Sequence, residues 1–403
     1  MRTQWPGVGT VGPAGPAGAA GLPGITPISW RNSGLTGANV FYEVGSSRDG
    51  SRVFAVESDR NSDGKLWLSS DYGATWAESF PDGSASHRNM AVACDATGMI
   101  LVAAMIIWVF GFKVFRSVNG GATWSDITPA GMPLGGNPAI PICCTVSGDG
   151  QKILFSWANN GYARSYLSLN GGVAWTLDPL AAPALQYNYF VSAASSYDGK
   201  YLAILRGNLD CVLFLSGDYG ATWAAVPPAQ IPIAASINNP TISMSSSGQF
   251  LVVADGASGG YISVDYGATW TNKAAPVGAG GQYSASAIIA SGSIVLLAGS
   301  TNAACVLSIS RDFGATWTDE VQPIVAGQSA KGELCAAVDE YAARFIFGTD
   351  AGSTPGKQVF QSFPGLVPSG YSGPVALAAI TVGGTDGSLA LVNGLITAYT
   401  PPT

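Results

Sequence analysis

The chain has 403 residues, of which 11% are charged and 47% hydrophobic, with 53 glycines and a net charge of −7. So little charge beside so much glycine describes tightly turned β-structure and excludes a disordered chain. The acidic balance excludes a phosphate-backbone partner, which selects clustered Lys and Arg, so no nucleic acid is expected.

At the N-terminus, MRTQWPGVGT carries no apolar core of a secretion signal. Glycine then recurs at every third position from Gly9 to Gly24, with Pro13, Pro16 and Pro23 between. Only glycine fits the axis of three wound polyproline-type chains, so residues 1–27 are expected to form a collagen-like stalk or anchor that makes the protein a homotrimer. A flexible Gly/Pro linker is the alternative.

From Ile28 onward a unit repeats. An apolar strand A, a polar glycine turn such as Ser47-Arg48-Asp49-Gly50, and an apolar strand B come first. A loop, a strand C, an eight-residue box and a strand D follow. The box occurs six times, ending at Trp76, Trp124, Trp175, Trp223, Trp270 and Trp317, in steps of 48, 51, 48, 47 and 47 residues. Four short antiparallel strands per unit at this period are the arithmetic of a propeller blade. The apolar run Met99–Phe112 falls on two such strands and their hairpin and is too short for a bilayer, so no membrane insertion is expected.

After Trp317 a further A, B and C strand are legible (Glu333–Val338, Arg344–Gly348, Lys357–Phe363), but no box and no D strand. The orphan segment around Trp30 stands 46 residues before Trp76, one repeat step. The expected fold is therefore an all-β, seven-bladed propeller of four-stranded antiparallel blades over residues 28–365, with the Trp30 segment as the outer strand of the last blade. Six blades is the alternative. Residues 366–403 are expected to add a small β-rich extension, with Asn393-Gly394 turning a hairpin.

Cys94 and Cys144, and likewise Cys211 and Cys305, occupy equivalent positions of different units, so the six cysteines are expected to be free thiols. One histidine and no CxxC leave no zinc site, and no cofactor is implied. Asp59, Asn61 and Asp63 have the alternate spacing of a calcium loop. Its twelfth position is Ser70 and not an acid, which favours a polar B–C hairpin.

The box, Ser-x-Asp/Asn-x-Gly-x-Thr/Ala-Trp, resembles the Asp-box or BNR repeat of sialidases and other β-propellers. The resemblance implies that Asp71, Asn119, Asn170, Asp218, Asp265 and Asp312 cap turns, and that Trp76, Trp124, Trp175, Trp223, Trp270 and Trp317 pack between sheets. It also implies that the boxes lie away from the ligand face. Sialidases carry a Phe/Tyr-Arg-Ile-Pro motif; here the nearest stretch, Trp30-Arg31-Asn32-Ser33, lacks the Ile-Pro, so no catalytic residue is assigned.

Because strands alternate direction, the boxes share one face with the A–B turns, while B–C loops and D–A connections share the other. That second face is the expected recognition surface, with Arg60, His87, Arg88, Tyr162, Arg164, Tyr187, Tyr189 and Tyr283 as candidates for a host glycan or surface protein. Both flanks are similar to bacteriophage fibre proteins, which implies a trimeric virion fibre attached to a capsid or tail protein and located at the virion surface. An Asp-box glycoside hydrolase and a cellular propeller resembling photosystem assembly factors are the alternatives.

Overall fold

Alternating apolar strands punctuated by glycine turns leave each unit with two apolar sheet faces, and such units are stable only when stacked. The structure, a computed structural model, describes residues 29–363 apart from connecting stretches, the longest being 323–334, together with 373–376, 388–392 and 395–400. The collagen-like segment and Arg60, Asn61 and Tyr187 lie outside the described residues.

Strand β1 is Ser29–Gly37. The first unit is β2 (Val40–Ser46), β3 (Val53–Asp59), β4 (Ser62–Ser69) and β5 (Ala77–Ser79). The second is β6 (His87–Cys94), β7 (Leu101–Ile107), β8 (Gly111–Ser117) and β9 (Ser125–Asp126). The third is β10 (Ile140–Val146), β11 (Ile153–Asn159), β12 (Tyr162–Ser168) and β13 (Thr176–Leu177). The fourth is β14 (Tyr189–Ser195), β15 (Leu202–Gly207), β16 (Val212–Ser216) and β17 (Ala224–Ala225). The fifth is β18 (Thr241–Met244), β19 (Leu251–Asp255), β20 (Gly259–Ser263) and β21 (Thr271–Lys273). The sixth is β22 (Gln282–Ile288), β23 (Val295–Ser300), β24 (Cys305–Ser310) and β25 (Thr318–Gln322). Last come β26 (Cys335–Val338), β27 (Phe345–Gly348) and β28 (Lys357–Phe363).

These strands form six sheets, the number of the alternative expectation, and not seven separate ones: five have four strands and one has eight. The eight-stranded sheet joins the first two units, because β4 and β6 pair at Gly64 and His87. Strand β1 lies beside β28 and completes the sheet of β26, β27 and β28. The inner strands β2, β6, β10, β14, β18, β22 and β26 stand each beside the next, and β26 stands beside β2, so the ring closes around a channel. Strands β2 through β28, and β1 from Trp30 onward, lie in one compact unit, Trp30–Phe363.

Apolar clusters fill the spaces between successive units. Phe54, Val56 and Leu66 of the first meet Leu101, Ala103 and Met105 of the second. Phe112 and Val114 of the second meet Phe155 and Trp157 of the third, with the Phe112 and Phe155 rings stacked at 5.7 Å. The B strands β15 and β19 are buried at all positions, sandwiched between neighbours. Burial on both faces explains why they read as continuous apolar runs.

The described residues beyond Phe363 belong to a second compact unit. Within it β29 (Gly373–Ala376), β30 (Ser388–Val392) and β31 (Leu395–Thr400) form an antiparallel sheet, with Val392 opposite Leu395 across the Asn-Gly connection. No described helix is long and apolar enough to cross a membrane. Cys94, Cys143, Cys144 and Cys211 are free thiols. Burial pushes the Cys143 thiol up to about 12.

Candidate functional site: the box face and the channel mouth

Each box is a closed set of local hydrogen bonds. In the first, the Ser69 hydroxyl donates to Asp71 Oδ1 (2.8 Å) and accepts from the Gly73 N–H (2.8 Å), while Asp71 Oδ1 also accepts the Thr75 N–H (2.8 Å). The Thr75 hydroxyl donates to Asp71 Oδ2. Asp218, Asp265 and Asp312 repeat the pattern with Thr222, Thr269 and Thr316. The Thr75 hydroxyl and N–H hold the Asp71 carboxyl below its ordinary range. At Asp218, Asp265 and Asp312 burial opposes ionisation, but the threonine hydroxyl and N–H outweigh it and the shift is again downward. In the second box the Asn119 amide does the same work, donating to Thr123 Oγ1 at 2.8 Å.

The fourth box position is left-handed in every copy, with φ near 60° at Tyr72, Tyr219, Tyr266 and Phe313 and glycine at 120 and 171. An aromatic there costs about 1–2 kcal/mol. Stacking on the preceding unit offsets it: Tyr266 lies 4.8 Å from Tyr201, and Phe313 lies 4.9 Å from Phe250. The box tryptophans lock the same seams. Trp175 Nε1 donates to Ile127 O of the preceding unit at 2.8 Å, and Trp124 Nε1 to Ser79 Oγ at 3.0 Å.

Because an amide oxygen accepts as a carboxylate does, Asp265→Asn is expected to change stability by less than ~0.5 kcal/mol, whereas Asp265→Ala should lose ~1–3 kcal/mol. Urea unfolding of both variants distinguishes a turn carboxylate from a chemically active one, since equal losses in the two would contradict the turn role.

The A–B turns stand on the same face as the boxes, as the N–H of Tyr72 on Ser51 O and of Tyr219 on Lys200 O show. In four of the turns a serine at the first position ties the hairpin: Ser47 Oγ accepts the Arg52 N–H at 3.0 Å, and Ser196 Oγ the Tyr201 N–H at 2.9 Å, with Ser147 and Ser245 alike. In the second unit Asp95 replaces serine and accepts the Ile100 N–H (3.0 Å) and the Thr97 hydroxyl (2.7 Å). The second turn residues then link unit to unit. The Arg48 N–H donates to Ala96 O (2.8 Å), Ala96 to Gly148 O (3.2 Å), Gly148 to Tyr197 O (2.7 Å) and Tyr197 to Ser246 O (2.8 Å). This belt of backbone hydrogen bonds runs around the mouth of the channel.

Inside the belt is a cavity of about 270 Å³ whose wall includes Ser46, Arg48, Asp95, Ser195, Tyr197 and Ser246. The Arg48 guanidinium from the first unit lies 5.5 Å from the centre of the Tyr197 ring in the fourth. Gly148 makes room for that ring: a Cβ there would stand 2.3 Å from Tyr197 Cδ2. Deeper in the channel wall the inner strands carry a bulge at the same place, between Phe41 and Glu43, Arg88 and Met90, Pro141 and Cys143, Phe190 and Ser192, and Tyr283 and Ala285. There Glu43 Oε2 accepts the Val92 N–H of the next inner strand at 2.8 Å, and burial pushes its carboxyl up to about 8.

The residues expected on the opposite face are dispersed. His87 and Arg88 begin β6, Tyr162 begins β12 and Tyr189 begins β14. Arg164 is half-buried and sits opposite Trp157 in the ladder. Tyr283 is fully buried, with its hydroxyl 2.6 Å from Ser308 Oγ, in the seam filled by Val252, Val295 and Leu297. Asp59 pairs with Ser62 at the end of a tight B–C hairpin, and Asn61 of the calcium spacing lies between them, outside the described residues. Arg48, Tyr197 and Glu43 were not among the expected site residues. Their signal is faint: Tyr197 is the one aromatic at the second position of a described A–B turn, and Glu43 the one acid in a described inner strand.

No family model matches the chain. A xyloglucanase from a Paenibacillus species is 29% identical over 195 residues, 40% of this chain and 18% of that protein. This chain thus spans less than a fifth of that relative's length. Among solved structures, YCF48 bound to D1 peptide superposes with a TM-score of 0.55 at 14% identity, covering 84% of this chain and 97% of that one. YCF48 from Cyanidioschyzon merolae gives 0.51 at 14% identity, covering 83% and 98%. At such identity the likeness concerns architecture alone, and it agrees with the strand topology: the chain is an all-β propeller of four-stranded antiparallel units.

Proposed function

We propose that this protein is a non-catalytic glycan-binding propeller, displayed as a trimer on a virion fibre through its glycine-every-third leader. The observation that carries the binding reading is the state of the box-face carboxylates. Asp71, Asp218, Asp265 and Asp312 each accept from a serine hydroxyl, a backbone N–H and a threonine hydroxyl, and Asp95 is tied to its own turn. Glycoside hydrolysis needs two carboxylates flanking one bond, one of them with a raised pKa. These are lowered or locked, and they stand one per unit around a rim. The sequence of the leader and tail supports fibre display.

A second reading, a glycoside hydrolase acting on a surface polysaccharide, is favoured by the 29% identity to the xyloglucanase. Incubation with xyloglucan, cello-oligosaccharides and sialylated oligosaccharides separates the two. Retention of sugar with no new reducing ends is the expected result; reducing ends released by the intact chain would establish the hydrolase. Light scattering of the full chain against a chain starting at Ile28 tests the stalk, with a monomer in both refuting the trimer.

A further inference from the structure

The two boxes built on asparagine are also the two with glycine at the fourth position, as Asn119-Gly120 and Asn170-Gly171, whereas each box aspartate precedes Tyr or Phe. We infer that Asn170 is a site of spontaneous deamidation in the folded protein, which turns the third box into an aspartate or isoaspartate box, and that Thr123 protects the matching Asn119.

The chemistry is internal to the turn. The Gly171 nitrogen gives its proton to a base in solution and bonds to Asn170 Cγ; the Cγ–Nδ2 bond breaks, and the amide nitrogen takes a proton from water and leaves as ammonia. Water then opens the five-membered imide. Cleavage between Cγ and the Gly171 nitrogen leaves aspartate, and cleavage between the main-chain carbonyl carbon and that nitrogen leaves isoaspartate. Ring closure needs an uncrowded nitrogen, which glycine supplies by having no Cβ. Such asparagines are thermally labile.

The two boxes share their backbone, so it does not distinguish them. φ is 66° at Gly120 and 69° at Gly171, and their N–H groups donate to Met99 O (2.8 Å) and Gln151 O (2.7 Å). A guanidinium stands beside each glycine: a Cβ on Gly120 would meet Arg52 Nη1 at 2.7 Å, and one on Gly171 would meet Arg116 Nη2 at 3.3 Å. A nearby cation favours loss of the amide proton in both.

The side chains differ. Asn119 Oδ1 accepts the Ser117 hydroxyl and the Thr123 N–H, both at 2.9 Å, and its Nδ2 donates to Thr123 Oγ1 at 2.8 Å. Asn170 Oδ1 accepts the Ser168 hydroxyl (3.0 Å) and the Ala174 N–H (2.8 Å), but alanine offers no hydroxyl. Among the described residues no hydrogen bond holds the exposed Asn170 at Nδ2. Swinging Cγ onto the glycine nitrogen therefore breaks one hydrogen bond fewer at Asn170, a difference of about fivefold in rate.

The two products act differently on the fold. Aspartate keeps an acceptor for Ser168 and Ala174, as Asp71 does for Ser69 and Thr75. Isoaspartate adds a methylene to the main chain ahead of Gly172, whose N–H donates to Ser168 Oγ at 2.8 Å, and so loosens the turn that sets Trp175 against Ile127 of the second unit.

Peptide mapping by mass spectrometry, on the intact chain aged in mildly alkaline buffer, tests this. The expected result is conversion at Asn170 about fivefold faster than at Asn119 in the folded chain, and equal conversion of the two in urea. Ala174→Thr should slow Asn170 to the rate of Asn119, and Thr123→Ala should speed Asn119 to the rate of Asn170. Melting curves identify a variant that fails to fold; Ala174→Thr, which restores the residue of the other boxes at an exposed position, decides alone if Thr123→Ala does. Equal rates in the folded chain, an unchanged Asn170 rate in Ala174→Thr, or no conversion of folded Asn170 over a period that converts the urea-unfolded chain would each overturn the proposal.

Discussion

A chain starting at Ala38 is expected to melt roughly 10 °C lower than one starting at Ile28, and to self-associate on heating. The two differ by β1, which is the outer strand beside β28 in a sheet otherwise made from the far end of the sequence. Without it β28 presents an unpaired edge. The loss spreads because β26 stands between β22 and β2 in the ring of inner strands, so loosening its sheet loosens both seams. A propeller closed by strands from one end of the chain has no such dependence. Scanning calorimetry with light scattering checks this; equal midpoints for the two chains would mean that β1 contributes nothing to closure.

Stability is expected to fall as pH rises from about 4.5 to about 8, and Glu43→Gln should remove that part of the slope. Burial pushes the Glu43 carboxyl from 4.5 up to about 8 in the folded chain. Between those values the unfolded chain has released a proton that the folded chain still holds. The contribution is therefore complete below the lower value and is lost on the way to the upper one. The neighbouring ionisable groups are the thiols of Cys94, Cys143 and Cys144, all pushed upward and neutral over the same range. They leave Glu43 as the titrating member. At pH 8 the variant should be more stable than the parent by roughly 3–5 kcal/mol. Urea midpoints measured from pH 5 to pH 9 decide the matter, and parallel profiles for parent and variant would exclude the effect.

Much of the architecture is legible without coordinates because a box is a local device. Ser69, Asp71, Gly73 and Thr75 bond to one another within seven residues, so their spacing alone reports the turn. The A–B turns are equally local: in the first, third, fourth and fifth units a serine accepts the N–H five residues on, and in the second Asp95 does so. The sheet count was less legible. Whether two units share one sheet depends on the approach of Gly64 to His87, 23 positions apart, and no periodicity encodes it.

The candidate site was legible in neither its place nor its residues. Loop composition points to the face of the B–C hairpins and includes Tyr283 among its candidates. Tyr283 is instead drawn into a seam because its hydroxyl finds Ser308 and its ring finds the apolar faces of two units.

The sequence by itself determined the repeat, the strand content of each unit and the role of every box carboxylate described, because these rest on contacts a few residues long. The tertiary structure alone decided which turn meets which across the channel. Arg48 and Tyr197 are 149 positions apart, and Glu43 and Val92 are 49 apart. Their encounters follow from the curvature that bulged inner strands and closely packed sheets impose on the ring, a sum of many small rotations that no single segment specifies.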